Sequence, residues 1–530
     1  MSNNKLNTKA TGVIAVAVMC SRVLGLVREV LFNALFGTAW MGVFIAAFRV
    51  PNLLRDLFAE GALSTAFITV FSQKIEKEGD ASAWALAAKM LTLAVVFMSG
   101  VTVLGIFLAE PFIGVLAGSF PPEYRSMTVL LTQVMFPFIL MVSLAALIMG
   151  MLNAKNVFGI PALASSFFNI GSIAGGAIIG WWIDPAFGKN ALLGLAAGTL
   201  IGGFLQMAVQ IPSLRRVGFR FRPDFRWNDS GVKRILVLMV PSVIAASAVQ
   251  VNVLVNTYFA GSYGPEAVTW LNNAFRLMQL PLGIFGVAVA TITLPVVSRI
   301  AANADRSEFG PTLGKAIRLA TFLTLPSAVG LYFLANPIIG LIYQHGQVKV
   351  NDTLQSGYAL QFYAMGLVAY ACIKVLSPTF YAIDRKWTPM LVSFVSIGLN
   401  FGLNYLFIYH LKLGAYSLAM STSIAAAVNF LTLYFLMHRE AQTLHTLKLI
   451  GTLIRCGLAS AALGAVCWAG LTYGAEWLQH ERFLMRAAAL GVLVAAAGGA
   501  YLLVCLILRV SEVETAVGAV KRKLFRRFAK

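Results

Sequence analysis

Charge is scarce in this chain, and acidic charge scarcest: 12% of its 530 residues are charged, with 21 Asp and Glu against 41 Lys and Arg. A soluble domain carries about 25% charged residues, and no polar stretch here is long enough to fold as one. Cysteine is also rare. The five, Cys20, Cys372, Cys456, Cys467 and Cys505, all fall in apolar stretches, are odd in number and lack the close pairing of a metal site. They read as small hydrophobes. The five histidines lie near segment ends with no i, i+4 pair, so no metal chemistry is indicated. A Walker A sequence, a nucleophile elbow and a His-Glu zinc motif are all missing, so no catalytic residue is assigned and the chain reads as a non-enzyme.

What is present is apolar sequence, 59% of the chain. A run of about 20 apolar residues spans a bilayer's hydrocarbon core, and such runs recur from Thr11 nearly to the C-terminus. They predict fourteen transmembrane helices near 11–36, 43–72, 84–116, 125–152, 158–183, 189–213, 234–261, 265–298, 313–343, 357–383, 387–409, 414–437, 446–474 and 483–508. The first run is interrupted by Arg22 and Arg28 and lacks a small-residue cleavage site, so it reads as a retained helix. The 46 glycines are spread through these helices, which suits close helix packing better than phosphate cradling.

The net charge of +20 would suggest nucleic acid in a soluble protein. Here most of it lies in alternate loops: Lys74 and Lys77; Lys155; Arg215, Arg216, Arg220, Arg222, Arg226, Lys233 and Arg234; Arg299 and Arg306; Arg385 and Lys386; Arg439 and Lys448. The tail adds Lys521, Arg522, Lys523, Arg526, Arg527 and Lys530, while the opposite loops offer little beyond Arg125, Lys189, Lys349 and Lys412. By the positive-inside rule this is topology, with both termini cytoplasmic and no nucleic-acid partner. The stretch from Arg215 to Trp227 interleaves arginines with Phe219, Phe221 and Phe225, which suits either an ordinary basic loop or a linker lying on an anionic leaflet.

The chain repeats itself. Ala47-Phe48-Arg49 followed by Pro51 recurs as Ala274-Phe275-Arg276 followed by Pro281, at an offset of 227 residues. Ala154 and Pro161 recur as Ala382 and Pro389 at 228. Two six-helix lobes related as parallel repeats follow: 1–213 and 234–438, joined by a basic amphipathic linker over 214–233. Two further helices occupy 439–510, and a basic tail runs over 511–530. The fold class is all-α and polytopic, with a cavity expected between the lobes.

Charges inside the apolar runs locate the function. The first two carry Arg22, Arg28 with Glu29, Arg49, and Arg55 with Asp56 and Glu60; the eighth carries Arg276. Each charged residue near a helix centre costs roughly 2.5–3.5 kcal/mol on insertion scales, so five arginines cost more than ~10 kcal/mol unless they are compensated. Arg28 or Arg55 pairing with Glu29, Asp56 or Glu60 would balance part of this. The remaining excess wants an anion in a wet cavity, and the planar guanidinium fork suits a phosphate or diphosphate. The seventh, eleventh and twelfth runs contain no Asp or Glu, so a sodium site there would rest on neutral oxygens such as Asn252, Asn256, Ser393 or Thr422.

Ser21-Arg22-Val23-Leu24-Gly25 with Arg28, Pro51-Asn52-Leu53-Leu54-Arg55, and Phe58-Ala59-Glu60-Gly61-Ala62 closely resemble the signature of the MurJ/MviN lipid II flippases of the MOP superfamily. The resemblance extends to Arg276-Leu277-Met278 with Pro281 and covers essentially the whole chain. It implies fourteen helices in a bacterial cytoplasmic membrane, with the last two forming a groove for a lipid tail. It also implies alternating-access export of an undecaprenyl-diphosphate-linked disaccharide pentapeptide. Arg22, Arg28, Arg55 and Arg276 match the family's cavity arginines, Arg49 a basic position, Glu60 the acid of the second motif and Asn169 an asparagine of the fifth helix. Ser21 and Asn52 complete the substrate-binding set. The chain departs from the family at Trp40-Met41-Gly42-Val43, where members commonly have an Asp, and in the acids some members use to bind sodium. Membrane potential or protons are then the expected drivers, and no cofactor or metal is assigned. The expected partners are the polyprenyl-diphosphate lipid, membrane lipids, and cell-wall synthesis or division proteins. The alternatives are a related exporter of another polyprenyl-linked saccharide or a drug, and a non-transporting division scaffold.

Overall fold

The computed structural model describes residues 8–57, 63–303, 305–441 and 443–513. Glu60 and the basic residues of the tail lie outside the described residues. Every regular element among the described residues is helical, as a chain without water in its surroundings requires: each backbone N–H must find its acceptor inside its own segment.

The first unit, residues 1–268 with 345–348, contains α1 (Thr8–Leu54), α2 (Ser64–Glu78), α3 (Asp80–Leu116), α4 (Pro122–Met135), α5 (Phe138–Ala154), α6 (Gly159–Ile183), α7 (Leu192–Ala208), α8 (Ile211–Arg216) and α9 (Ser230–Gly261). Its core under α2, α3, α5 and α9 is built from Phe67, Phe71, Leu86, Met90, Leu147, Met151 and Ile235. The first helix of the sequence's second repeat, α9, packs on α2 and α3 within this unit. Its start is fixed by Asp229, whose side chain accepts from the backbone N–H groups of Gly231 and Val232, a standard N-cap.

In chain order α10 (Pro265–Pro281) follows, then α11 (Val287–Ala302), α12 (Phe309–Phe333), α13 (Ala335–Tyr343), α14 (Val350–Met365), α15 (Leu367–Ala382), α16 (Trp387–Tyr405), α17 (Ser417–Glu440), α18 (Thr446–Tyr473), α19 (Ala475–Leu478) and α20 (Phe483–Ile507). The second unit covers 269–344 and 349–530. In it α12 packs on α15 and α18, and α18 on α20. The Tyr501 hydroxyl donates to the Phe322 carbonyl at 2.7 Å in a core shared with Cys456, Cys467 and Cys505. These three and Cys372 are buried thiols, whereas Cys20 is exposed.

Among the described residues, eleven helical stretches are long and apolar enough to cross a membrane, and twelve if the pair α14 and α15, bent by 46°, counts as one span. The difference from the expected fourteen lies in two places. The first expected span and the start of the second, 43–72, run together in α1, which is 47 residues long, and the end of the second lies in α2. The other is α9, 32 residues long and absent from the eleven.

The division inside α1 is made by backbone geometry. Gly37 has φ 70° and ψ 172°, which interrupts the helix without interrupting the hydropathy. At such a break the preceding carbonyls lose helical partners, and Ala34 O instead accepts from Gln347 N–H at 2.9 Å. The segment His345–Val348 thus hooks onto the kink, with Gly346 at φ 58°. A side chain at Gly346 would overlap the Ala34 carbonyl. Gly346→Ala therefore combines a clash with the ~1–2 kcal/mol cost of a left-handed L-residue. We expect it to release the hook. A disulfide engineered between Ala34→Cys and Gln347→Cys should form readily with Gly346 present and poorly in the Ala variant; equal yields would show that the hook does not need the glycine.

Candidate functional site

The site residues of the first unit are placed by α1 and by what packs on it. Along α1, Arg22 is exposed, while Ser21, Arg28, Arg49 and Asn52 are half-buried. The contact with α6 sets their surroundings. Asn169 on α6, only 6% exposed, donates from Nδ2 to the Ser21 carbonyl and to its own helix at Ser165 O, both at 3.1 Å. Its amide nitrogen is thereby committed to joining two helices, which makes Asn169 a residue that positions the Ser21-Arg22 turn.

One residue earlier on α6, Phe168 lies beneath Arg28, whose Cζ stands 5.1 Å from the ring centroid. A cation held over an aromatic face keeps its charge and is stabilised by about 0.5–2 kcal/mol, depending on desolvation. Phe168 is one end of a row continued by Phe138 at 5.5 Å and Phe48 at 5.2 Å between centroids. Arg49 is the residue that follows Phe48 in α1.

Past the end of α1 the chain forms a second polar group. Arg55 grips Asp56 through Nε and Nη2, at 3.1 and 2.8 Å, with both side chains about a quarter exposed. Asp56 also accepts from Asn52 Nδ2 at 3.4 Å and from Gln250 Nε2 at 2.8 Å. The pairing of Arg55 with Asp56 is the internal compensation that the sequence allowed for. Arg55 accordingly enters the site with its charge already matched, while Asn52 and Gln250 hold the carboxylate.

In the second unit Arg276 sits half-buried on α10, between Ala274 at 0% exposure and Leu277 and Met278 at 2% and 0%. The apolar residues of its motif face the core, and the arginine occupies the less buried side of the helix. On α16 and α17, Asn404 and Ser421 share a hydrogen bond, and Thr422 Oγ1 reaches Asn400 Oδ1 at 3.5 Å. This layer of neutral oxygens and amides lies inside apolar helices, with both asparagines fully buried.

The basic linker has its own anchorage. Phe219 is buried against Trp84, 5.3 Å between centroids, and Asp224 N–H donates to Thr92 Oγ1 on α3 at 3.1 Å. Arg226 holds Asp224 by two contacts, at 2.9 and 2.8 Å, which keeps that carboxyl well below the ordinary carboxylate range. Phe221, Phe225, Arg215, Arg216, Arg220 and Arg222 are exposed.

Sequence reasoning missed Phe168, Gln250 and the positioning role of Asn169. A glutamine inside an apolar run was a readable signal for Gln250. The Phe168 contact depends on residues 140 positions apart and left no local trace.

The family model described as lipid II flippase MurJ matches residues 32–488 of the chain. A Vibrio cholerae protein named probable lipid II flippase MurJ is 32% identical over 509 residues, covering 94% of this chain and 95% of its own. The Burkholderia cenocepacia lipid II flippase MurJ is 33% identical over 423 residues, covering 78% and 81%. Among solved structures, a lipid II flippase MurJ in an inward closed conformation superposes with a TM-score of 0.74 at 27% identity, over 92% of this chain and 97% of that one. An inward-facing MATE family multidrug transporter of the MOP superfamily gives 0.66 at 16% identity, a likeness of fold alone.

Proposed function

The chain belongs to the lipid II flippase MurJ family, and from that premise we propose how its arginines serve the translocation of lipid II from the inner to the outer leaflet of the bacterial cytoplasmic membrane. The protein is a transporter and not an enzyme. The observation that carries the mechanism is Arg28, kept charged within an apolar helix over the face of Phe168. A diphosphate offers such a guanidinium several acceptor oxygens, and charge-assisted hydrogen bonds of this kind are roughly twice as strong as neutral ones.

In this reading Arg22, Arg28, Arg49 and Arg276 bind the diphosphate. Arg55, balanced by Asp56, shapes the exit of α1 and exchanges partners when the anion arrives. Ser21, Asn52 and Asn169 hold the arginine-bearing turns, and Glu60 belongs to the same set. The polyprenyl tail rests against the helices of 439–510. The states then interconvert by alternating access, and the anion favours whichever state binds it more tightly. In this reading both termini lie in the cytoplasm, an orientation that the basic loops support. Membrane potential or protons, in place of a carboxylate-bound sodium ion, return the empty carrier.

The test is lipid II exposure at the outer leaflet of cells depleted of their own flippase and supplied with this protein. Restoration by the intact chain is the expected result. A well-expressed intact chain that restores nothing would move the substrate to another polyprenyl-linked saccharide.

A further inference from the structure

Between α3 and α9 lies a cavity of about 440 Å³ whose walls are entirely apolar. Met90, Ala94 and Met98 form its floor, each less than 10% exposed, while Phe97, Leu236 and Val240, from 44% to 57% exposed, frame an open side. On α9 the lining residues Leu236, Val240 and Ile244 recur at helical spacing, and one turn before Leu236 the same stripe carries Lys233. From Lys233 to Ile244 the helix rises about 16 Å, half of the ~30 Å hydrocarbon core. The groove therefore has the depth of one leaflet, with a cation at its head.

The head of the groove is set electrostatically. Asp229, which caps α9, is matched by Lys89 Nζ at 2.6 Å, so the capping carboxylate is neutralised. Lys233 and Arg234 are exposed and have no ion-pair partner among the described residues. The linker is anchored on α3 by Phe219 at Trp84 and by Asp224 at Thr92, and next to these anchors Arg220, Arg222, Phe221 and Phe225 are exposed. An apolar slot of leaflet depth under unmatched cations fits one chemistry: an acyl chain below and an anionic headgroup above.

We propose that this groove is a binding site for an anionic phospholipid of the cytoplasmic leaflet, its acyl chain between α3 and α9 and its phosphate at Lys233 and Arg234. The site is separate from the arginines assigned to the substrate. It rests on the functional reading only for its orientation, with the linker in the cytoplasm. A lipid seated there braces α9 against α3 from the membrane side, and Phe221 and Phe225 dip into the same interface.

The experiment reconstitutes the full chain in phosphatidylcholine nanodiscs doped with phosphatidylglycerol or phosphatidylcholine carrying a diazirine in the acyl chain, and maps adducts by peptide mass spectrometry. It needs no transport assay, so its outcome is distinguishable from failure of the flippase reading. Phosphatidylglycerol adducts are expected to concentrate in 90–98 and 236–244. Lys233→Ala with Arg234→Ala should lower them about fivefold or more per charge removed while leaving phosphatidylcholine adducts unchanged. Val240→Phe fills the slot from its exposed side without disturbing the core and should lower adducts of both lipids. Adducts spread evenly over the lipid-facing helices, or equal labelling by the two lipids, would overturn the proposal. So would displacement by undecaprenyl phosphate with no preference for the anionic phospholipid, since the occupant would then be the substrate's own tail.

Discussion

Arg28→Ala is expected to lower lipid II translocation roughly 10- to 100-fold at limiting substrate, while the protein still accumulates in the membrane. The estimate follows from losing one charge-assisted hydrogen-bonding group, about 1.5–3 kcal/mol, at about 1.4 kcal/mol per tenfold. Folding should be spared because removing a half-buried guanidinium relieves a desolvation cost, which offsets the loss of the ring contact with Phe168. Arg28→Lys keeps the charge but loses the two-point fork, so it should recover part of the rate. Arg276→Ala is expected to go further and abolish transport, because Arg276 is the one site arginine that the second repeat supplies, standing where Arg49 stands in the first. The measurement is outer-leaflet lipid II in flippase-depleted cells, normalised to protein in the membrane. Full transport by Arg276→Ala at normal abundance would remove that residue from the substrate site.

The pairing inside the first unit shapes how such results read. Arg55 is already bound to Asp56, so Arg55→Ala leaves a carboxylate held by Asn52 and Gln250 without its cation. Removing one partner of a shielded pair costs more than the pair contributes. Lost transport in Arg55→Ala is therefore weaker support for substrate contact than the same loss in Arg28→Ala.

Hydropathy carried the all-helical membrane class, because a bilayer leaves no other economical way to satisfy the backbone in one apolar run after another. The arginines within apolar runs were equally plain, since charge in such runs is costly enough to need a reason. Three features were hidden, each for a physical cause. The division of α1 at Gly37 depends on a backbone dihedral that leaves the apolar pattern intact. The hook of Gly346 and Gln347 onto Ala34 joins positions more than 300 residues apart through main-chain atoms, which no residue type advertises. Arg28 was visible as a charge, but Phe168 looked like one more apolar residue until α6 was laid against α1. The glycines fall between these cases: their number signalled close packing, and only the structure says which helices approach.

Those helices are α6 and α7, and Gly198→Leu is expected to be the most damaging single change outside the arginines. Gly194, Gly198 and Gly202 recur every fourth residue along one face of α7, the small-residue stripe that lets membrane helices meet backbone to backbone. A Cβ at Gly198 would overlap the backbone nitrogen of Gly176, and one at Gly194 that of Gly180. One at Gly202 would stand 2.5 Å from the Phe168 carbonyl. Backbone cannot step aside as a flexible side chain does, so the cost should exceed the ~1–3 kcal/mol of ordinary overpacking. Because α6 carries both Phe168 and Asn169, pushing it off α7 also displaces the ring under Arg28 and the amide that holds Ser21. Gly198→Leu should therefore fail to accumulate, or accumulate with a lowered Tm and no transport, whereas Gly198→Ala should lie between it and the intact chain. If Gly198→Leu kept both the Tm and the transport rate of the intact protein, the close approach of α6 and α7 would have no part in holding the site.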